Sequence, residues 1–259
     1  LWVKAAGVLF RESLRYIVRS KLLLLLLVFS FLLHYVGLSF VKQATFSIQG
    51  LVSTVGPREG LFVSIYLSLF MGVFLSAIYG VWMVPYLHQG ERSLLTFVLP
   101  VSKWIYPCVY CLSFLILILL EFGILLGAFY WVFGKEAILH PKFSWTALAT
   151  CLFVELLAFE FLLFFFGILS MVVGQVMTLF FAAGSFIALQ VAGTIFRFGM
   201  GESWTLYKIY QYLPPLGELI FNLKQTFSQG IFPVYHVLLW FVWFVFGFVL
   251  FRISLRYSR

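Results

Sequence analysis

The chain has 259 residues, 63% of them hydrophobic and only 10% charged, with a mean hydropathy of +1.08. A soluble domain carries about 25% charged residues, so the composition excludes an ordinary globular protein and points to an integral membrane protein. The net charge of +8 comes from 17 basic and 9 acidic residues, and every acid is Glu. Without Asp, metal sites and membrane enzymes built on paired aspartates are excluded. With this hydropathy, the positive balance fits anionic lipid and loop orientation better than nucleic acid.

Long, mostly apolar runs such as Leu22–Leu33 predict membrane helices, not the alternating ten-residue segments of a barrel. The expected fold class is an all-α polytopic membrane protein with six transmembrane helices. Residues 1–21 mix apolar and basic positions, with Arg11, Arg15 and Arg19 at four-residue intervals and Glu12 and Lys21 beside them. That pattern predicts an amphipathic helix on an anionic leaflet, leading into a full-length span and not a cleavable signal.

The first span is expected at about 22–40, followed by a polar loop, Val41–Gly60. The second, about 61–87, carries Ser64, Ser68, Gly72, Ser76 and Gly80. Small residues at every fourth position let another helix approach closely. Next comes a segment where charge and turn chemistry interrupt the apolar sequence: Glu91, Arg92 and Ser93, then Leu94 and Leu95, then Pro100, Ser102 and Lys103. Ser93 can cap a helix and Pro100 cannot continue one, which predicts a short interfacial helix within about 91–103.

The third span, 105–133, contains Gly123 and Gly127 at the same small-residue spacing. It would be about 43 Å long against a hydrocarbon core of about 30 Å, so it must tilt or protrude. Trp145 to Phe196 holds neither Lys nor Arg and is long enough for two spans, about 145–169 and 176–197. The turn is expected near Ser170–Gln175, where Gly167 and Gly174 weaken the helix. The fifth span carries Gly184, Ala188 and Ala192 as a further small-residue stripe. Residues 198–230, with Pro214 and Pro215 among mixed charges and aromatics, predict short interfacial or re-entrant helices. The last span is expected at about 231–251, ahead of Arg252, Arg256 and Arg259. Six spans put both termini on one side. That side holds 10 of the 17 basic residues, five of them before the first span, so both termini are expected to be cytoplasmic.

Three acids, Glu121, Glu155 and Glu160, fall inside predicted spans. A charged carboxylate at the centre of a membrane helix costs about 3 kcal/mol. Each should therefore be neutral, hydrogen-bonded or facing a wet cavity. They could form a polar path for a headgroup or cation, a contact with another membrane subunit, or plain hydrogen bonds to a neighbouring helix. Glu155 and Glu160 are about 140° apart around a helix, which predicts separate surroundings. His34 reads as a packed or pore-facing polar residue. Cys108 and Cys111 should share a helix face as structural thiols, without further ligands for a metal. No nucleophile–base grouping suggests catalysis. Trp82, Trp104, Trp131, Trp145, Trp204 and Tyr207 fall near span ends, where aromatic belts belong.

Three stretches together resemble the membrane subunits of type-2 ABC exporters. They are Phe10–Lys21 running into the first span, Glu91–Lys103 with its Leu99–Pro100–Val101–Ser102–Lys103 ending, and the interfacial stretch with Pro214 before the last span. The family commonly places Gly between the acid and the leucines; here Gly90 precedes Glu91. The resemblance implies a coupling helix at about 91–103 that docks on a cytoplasmic ATPase through Glu91, Arg92, Leu94, Leu95, Pro100, Ser102 and Lys103. It implies an elbow helix at 1–21 with Arg11, Glu12, Arg15, Arg19 and Lys21. The first, second and fifth spans would line the path and the dimer interface. The chain lacks the phosphate-binding GxxxxGK[ST] pattern: ahead of Gly134–Lys135 stands Phe129, and after it Glu136. ATP and Mg would therefore be bound by a separate ATPase subunit, and this chain would bind no cofactor and be no enzyme itself. The other implied partners are a second permease copy or paralogue and lipid in the inner membrane, with no nucleic acid. Two further readings stand beside this one: a membrane-embedded enzyme using Glu121, Glu155 or Glu160 for acid–base work, and an anchor subunit that moves nothing.

Overall fold

The structure, a computed structural model, describes residues 2–43, 45–48, 51–54, 57–88, 104–135, 145–184, 187 and 234–257. In chain order the helices are α1 (Trp2–Arg19), α2 (Lys21–Gln43), α3 (Pro57–His88), α4 (Ile105–Phe133), α5 (Trp145–Val173), α6 (Gln175–Gly184) and α7 (Val234–Tyr257). Between α2 and α3 lies an antiparallel hairpin, β1 (Thr45–Ile48) and β2 (Leu51–Thr54), with Thr45 opposite Thr54 and Ile48 opposite Leu51. Among the described residues, five helices, α2, α3, α4, α5 and α7, are long and apolar enough to cross a membrane. The chain is a multi-pass helical membrane protein.

Local chemistry sets the boundaries. The amphipathic leader ends at Arg19, and Ser20 starts the next helix: its hydroxyl accepts from the Leu23 N–H at 3.3 Å, as a helix cap does. The polar loop expected at 41–60 is shorter than its sequence suggests, because α2 runs to Gln43 and α3 begins at Pro57. Proline suits a first turn, where its missing N–H costs nothing. Gly134 closes α4 with φ +80° and its N–H donating to Tyr130 O at 2.8 Å. Lys42 donates to the neighbouring Val132 O at 2.6 Å, a cation on carbonyls that have run out of helical partners. The turn expected near Ser170–Gln175 falls at Gly174, φ +86°.

Inter-helix contacts fix the directions. Ser30 meets Glu121 and Lys42 meets Val132, so α2 and α4 run the same way. Gly60 faces Phe133 while Tyr79 faces Ser113, so α3 runs opposite to α4. Gly72 meets Phe159 and Gly80 meets Leu163 and Gly167, which makes α3 and α5 parallel. Phe161 packs on Trp240 and Trp243, and Phe164 on Phe244, Phe248 and Phe251, so α7 follows α5. The most apolar stretches of α3 and α5 are 67% and 61% buried, against 22% for α2 and 17% for α7. The parallel α3–α5 pair is therefore the centre, and the exposed faces of α2 and α7 are left for lipid.

The α3 small-residue stripe does what its spacing predicts. Ser64, Ser68 and Ser76 are fully buried, and a β-carbon at Gly80 would stand 2.8 Å from Leu163 O. The α4 stripe has no such partner among the described residues: nothing lies within 4 Å of where a β-carbon on Gly123 or Gly127 would stand. Gly184 is equally open, and Ala188 and Ala192 lie outside the described residues.

Candidate functional site

Hydrocarbon offers polar side chains no water, so those that α2–α5 carry inward must find one another. They do so at two depths. The first cluster is centred on α2 and α4. Ser30 and His34, one turn apart on α2, are fully buried. Ser30 Oγ lies 2.6 Å from Glu121 Oε1 and 3.3 Å from His34 Nδ1. His34 Nδ1 is also 2.9 Å from Ser30 O, and its Nε2 is 3.2 Å from Ser64 O on α3. Glu155 reaches toward the same region from α5, with the Ser68 hydroxyl and Glu121 as its polar neighbours and the Cys151 thiol beside it.

This cluster is only partly satisfied. Ser64 Oγ, Ser68 Oγ, Glu121 Oε2 and both Glu155 oxygens are buried without a hydrogen-bond partner among the described residues. Buried polar atoms are overwhelmingly paired in folded proteins, so the gathering of such oxygens from three adjacent helices makes this the candidate site.

The second cluster joins α1, α3, α4 and α5. Tyr79 Oη is 2.6 Å from Ser113 Oγ, which also bonds Val109 O at 2.8 Å. The Tyr16 ring from α1 packs edge-on to Tyr79, centroids 6.2 Å apart. Glu160 from α5 lies beside the Cys111 thiol. Glu155 and Glu160 thus occupy separate surroundings, as their helical angle requires. Cys108 and Cys111, three residues apart, share a helix face, Cys108 exposed and Cys111 partly buried; neither they nor the buried Cys151 is in a disulfide.

On α1 the buried positions are Leu9, Ser13 and Ile17, facing α4 and the start of α2. Arg11, Arg15 and Arg19 are exposed along the opposite stripe, and Arg15 pairs with Glu12. Lys21 is exposed at the start of α2. Arg252 near the end of α7 stacks over Trp104, 3.4 Å from the ring centroid. Glu91, Arg92, Leu94, Leu95, Pro100, Ser102 and Lys103 lie outside the described residues. Among the described residues, no three His, Cys or Glu side chains come close enough to hold a metal ion.

Sequence reading singled out His34 and Glu121 separately and missed the Ser30 hydroxyl that joins them. The available signal was the four-residue spacing of Ser30 and His34, which puts both on one helix face. Tyr79 and Ser113 were also missed, hidden among aromatics and small residues. No protein-family model matches the chain, and neither does any curated protein or solved structure.

Proposed function

We propose that the chain is the membrane subunit of an ATP-driven transporter of the type-2 ABC class, working as an exporter. It would dimerise with a second copy or a paralogue in the inner membrane. A separate cytoplasmic ATPase, binding ATP and Mg, would drive it. The observation that carries this reading is the seating of α1. An amphipathic helix with three arginines outward and Leu9, Ser13 and Ile17 inward packs on α4, the helix that follows the Glu91–Lys103 segment. α3 enters that segment, α4 leaves it, and the two are antiparallel neighbours. A force on Glu91–Lys103 would therefore act on the ends of two packed helices and on the elbow helix beside them.

Two further features support the layout. The described face bearing the start of α2 and the end of α7 carries Arg11, Arg15, Arg19, Lys21 and Arg252, while Lys42 and Lys135 lie at the other end. That bias favours cytoplasmic termini. The parallel course of α5 and α7 favours a crossing between them, as the six-span reading with a fifth span at 176–197 requires.

The test is to purify the tagged chain from its native membrane and measure Mg-dependent ATP hydrolysis in the preparation. The expected result is co-purifying activity that Glu91→Arg with Arg92→Glu abolishes while the chain still inserts. An absence of nucleotide hydrolysis would refute the reading. So would cysteine labelling that puts position 92 on the membrane side opposite the N-terminus.

A further inference from the structure

We propose that Ser30, His34 and Glu121 form an intramembrane proton site, in which one proton is shared between the Glu121 carboxyl and the His34 imidazole through the Ser30 hydroxyl. The argument is an accounting of donors. A carbonyl oxygen can only accept, so His34 Nε2, 3.2 Å from Ser64 O, carries a hydrogen. His34 Nδ1 faces two oxygens of one residue, Ser30 O at 2.9 Å and Ser30 Oγ at 3.3 Å. The hydroxyl has a single hydrogen and is also 2.6 Å from Glu121 Oε1.

Two placements of hydrogen satisfy the Ser30–Glu121 contact, and only the second also gives His34 Nδ1 a hydrogen to donate to Ser30 O. In the first, Glu121 is a carboxylic acid that donates to Ser30 Oγ, and the Ser30 hydrogen is donated to a bare Nδ1. In the second, Glu121 is a carboxylate that accepts from Ser30 Oγ, and Nδ1–H donates to Ser30 O. Passing from one to the other breaks the Glu121 O–H bond and forms a Ser30 O–H bond. The original Ser30 O–H bond breaks as the Nδ1–H bond forms. A neutral pair becomes a carboxylate and an imidazolium, and no atom leaves. Without the proton, Glu121 is a lone carboxylate in hydrocarbon, an arrangement a membrane interior penalises. The trio is complete only with the proton aboard.

The titratable groups facing Glu121 are His34 from α2 and Glu155 from α5, with Cys151 beside Glu155; α3 contributes the Ser64 and Ser68 hydroxyls. Shifting the proton changes what ties α2 to α4, from neutral hydrogen bonds to an ion pair. Protonation is thereby linked to the relative position of the two helices. This holds whether or not an ATPase drives the chain.

The test follows the carboxyl C=O infrared band and the histidine 15N signals of the full-length chain in lipid vesicles across a pH titration. Glu121→Gln and His34→Gln assign the two signals. In the wild type, both are expected to change at one common midpoint, the same in sodium and in choline buffer. In Ser30→Ala, the midpoints should part by about one pH unit or more, a tenfold difference in proton affinity. Ser30→Thr, which keeps the hydroxyl, should reunite them. Separate midpoints in the wild type, an unchanged titration in Ser30→Ala, or a midpoint that moves with sodium would each overturn the proposal, the last by showing that a metal cation takes the site. If Ser30→Ala fails to fold, the wild-type coincidence and the Ser30→Thr titration decide the matter.

Discussion

Gly80→Ala probes the seam on which the bundle is centred. A β-carbon there would stand 2.8 Å from Leu163 O and 3.1 Å from Gly167 N, where ordinary contact begins at 3.4 Å. Both obstacles are main chain in the middle of α5, so no rotamer change relieves them. The helices must part by about half an ångström, which forfeits roughly a quarter of the dispersion energy of each contact along the seam. Overpacking of this kind costs about 1–3 kcal/mol, and the better helix propensity of Ala returns up to about 1 kcal/mol. A net loss of about 1–2 kcal/mol is expected in reversible unfolding of the full chain in mixed micelles. Gly72→Ala makes the informative comparison, because its obstacle is the Phe159 ring at 2.1–2.4 Å. Phe159→Leu should rescue Gly72→Ala, whereas Leu163→Ala should not rescue Gly80→Ala. Wild-type stability in Gly80→Ala, or its recovery by Leu163→Ala, would refute the main-chain contact.

Two further outcomes follow from single contacts. Tyr79→Phe removes the bond to Ser113, but Ser113 keeps Val109 O and Tyr110 O and the ring keeps Tyr16 and Phe114; the same unfolding assay should show a loss of about 1 kcal/mol, and a much larger loss would mean that Tyr79 holds more than this bond. Lys42→Met removes the donor to Val132 O and the cation 6.0 Å from the Phe133 ring. It should cost less than about 1 kcal/mol and speed amide hydrogen exchange in the last turn of α4 without affecting α5.

Hydropathy and run length were enough to read five of the six expected spans, because a helix that must satisfy its own backbone in lipid leaves a long apolar signature; of the span expected at 176–197, the described residues show only the short α6. The amphipathic leader was legible for a related reason: arginines at a four-residue repeat have one geometric explanation. The stripes were legible only in part. Ser64 to Gly80 and Gly123 to Gly127 carry the same spacing, yet one meets α5 and the other meets no described residue, since the facing helix decides whether a small residue is used. The hairpin at 45–54 sits in a polar stretch whose alternation is too brief to separate from a loop. The polar site was least legible. Glu121 and His34 each stood out as anomalies, but their pairing depends on α2 and α4 running side by side in register, which no local pattern encodes.

The bundle is held by two kinds of seam with different mechanical properties. Between α3 and α5 the contact at Gly80 is backbone in a glycine groove, so sliding there meets steric resistance at once and the pair is expected to move as one body. Between α2, α4 and that pair, the ties include a few short polar contacts: His34 to Ser64 and Tyr79 to Ser113. In hydrocarbon such contacts are strong because no water competes for them, but relocating a single hydrogen can change them. A load arriving at α1, or at the adjoining ends of α3 and α4, would reach the Tyr79–Ser113 contact first, through the Tyr16 ring. Only then would it reach the Ser30–His34–Glu121 group deeper in the span. Relative movement is therefore expected along the polar seams, with the α3–α5 pair as the fixed reference.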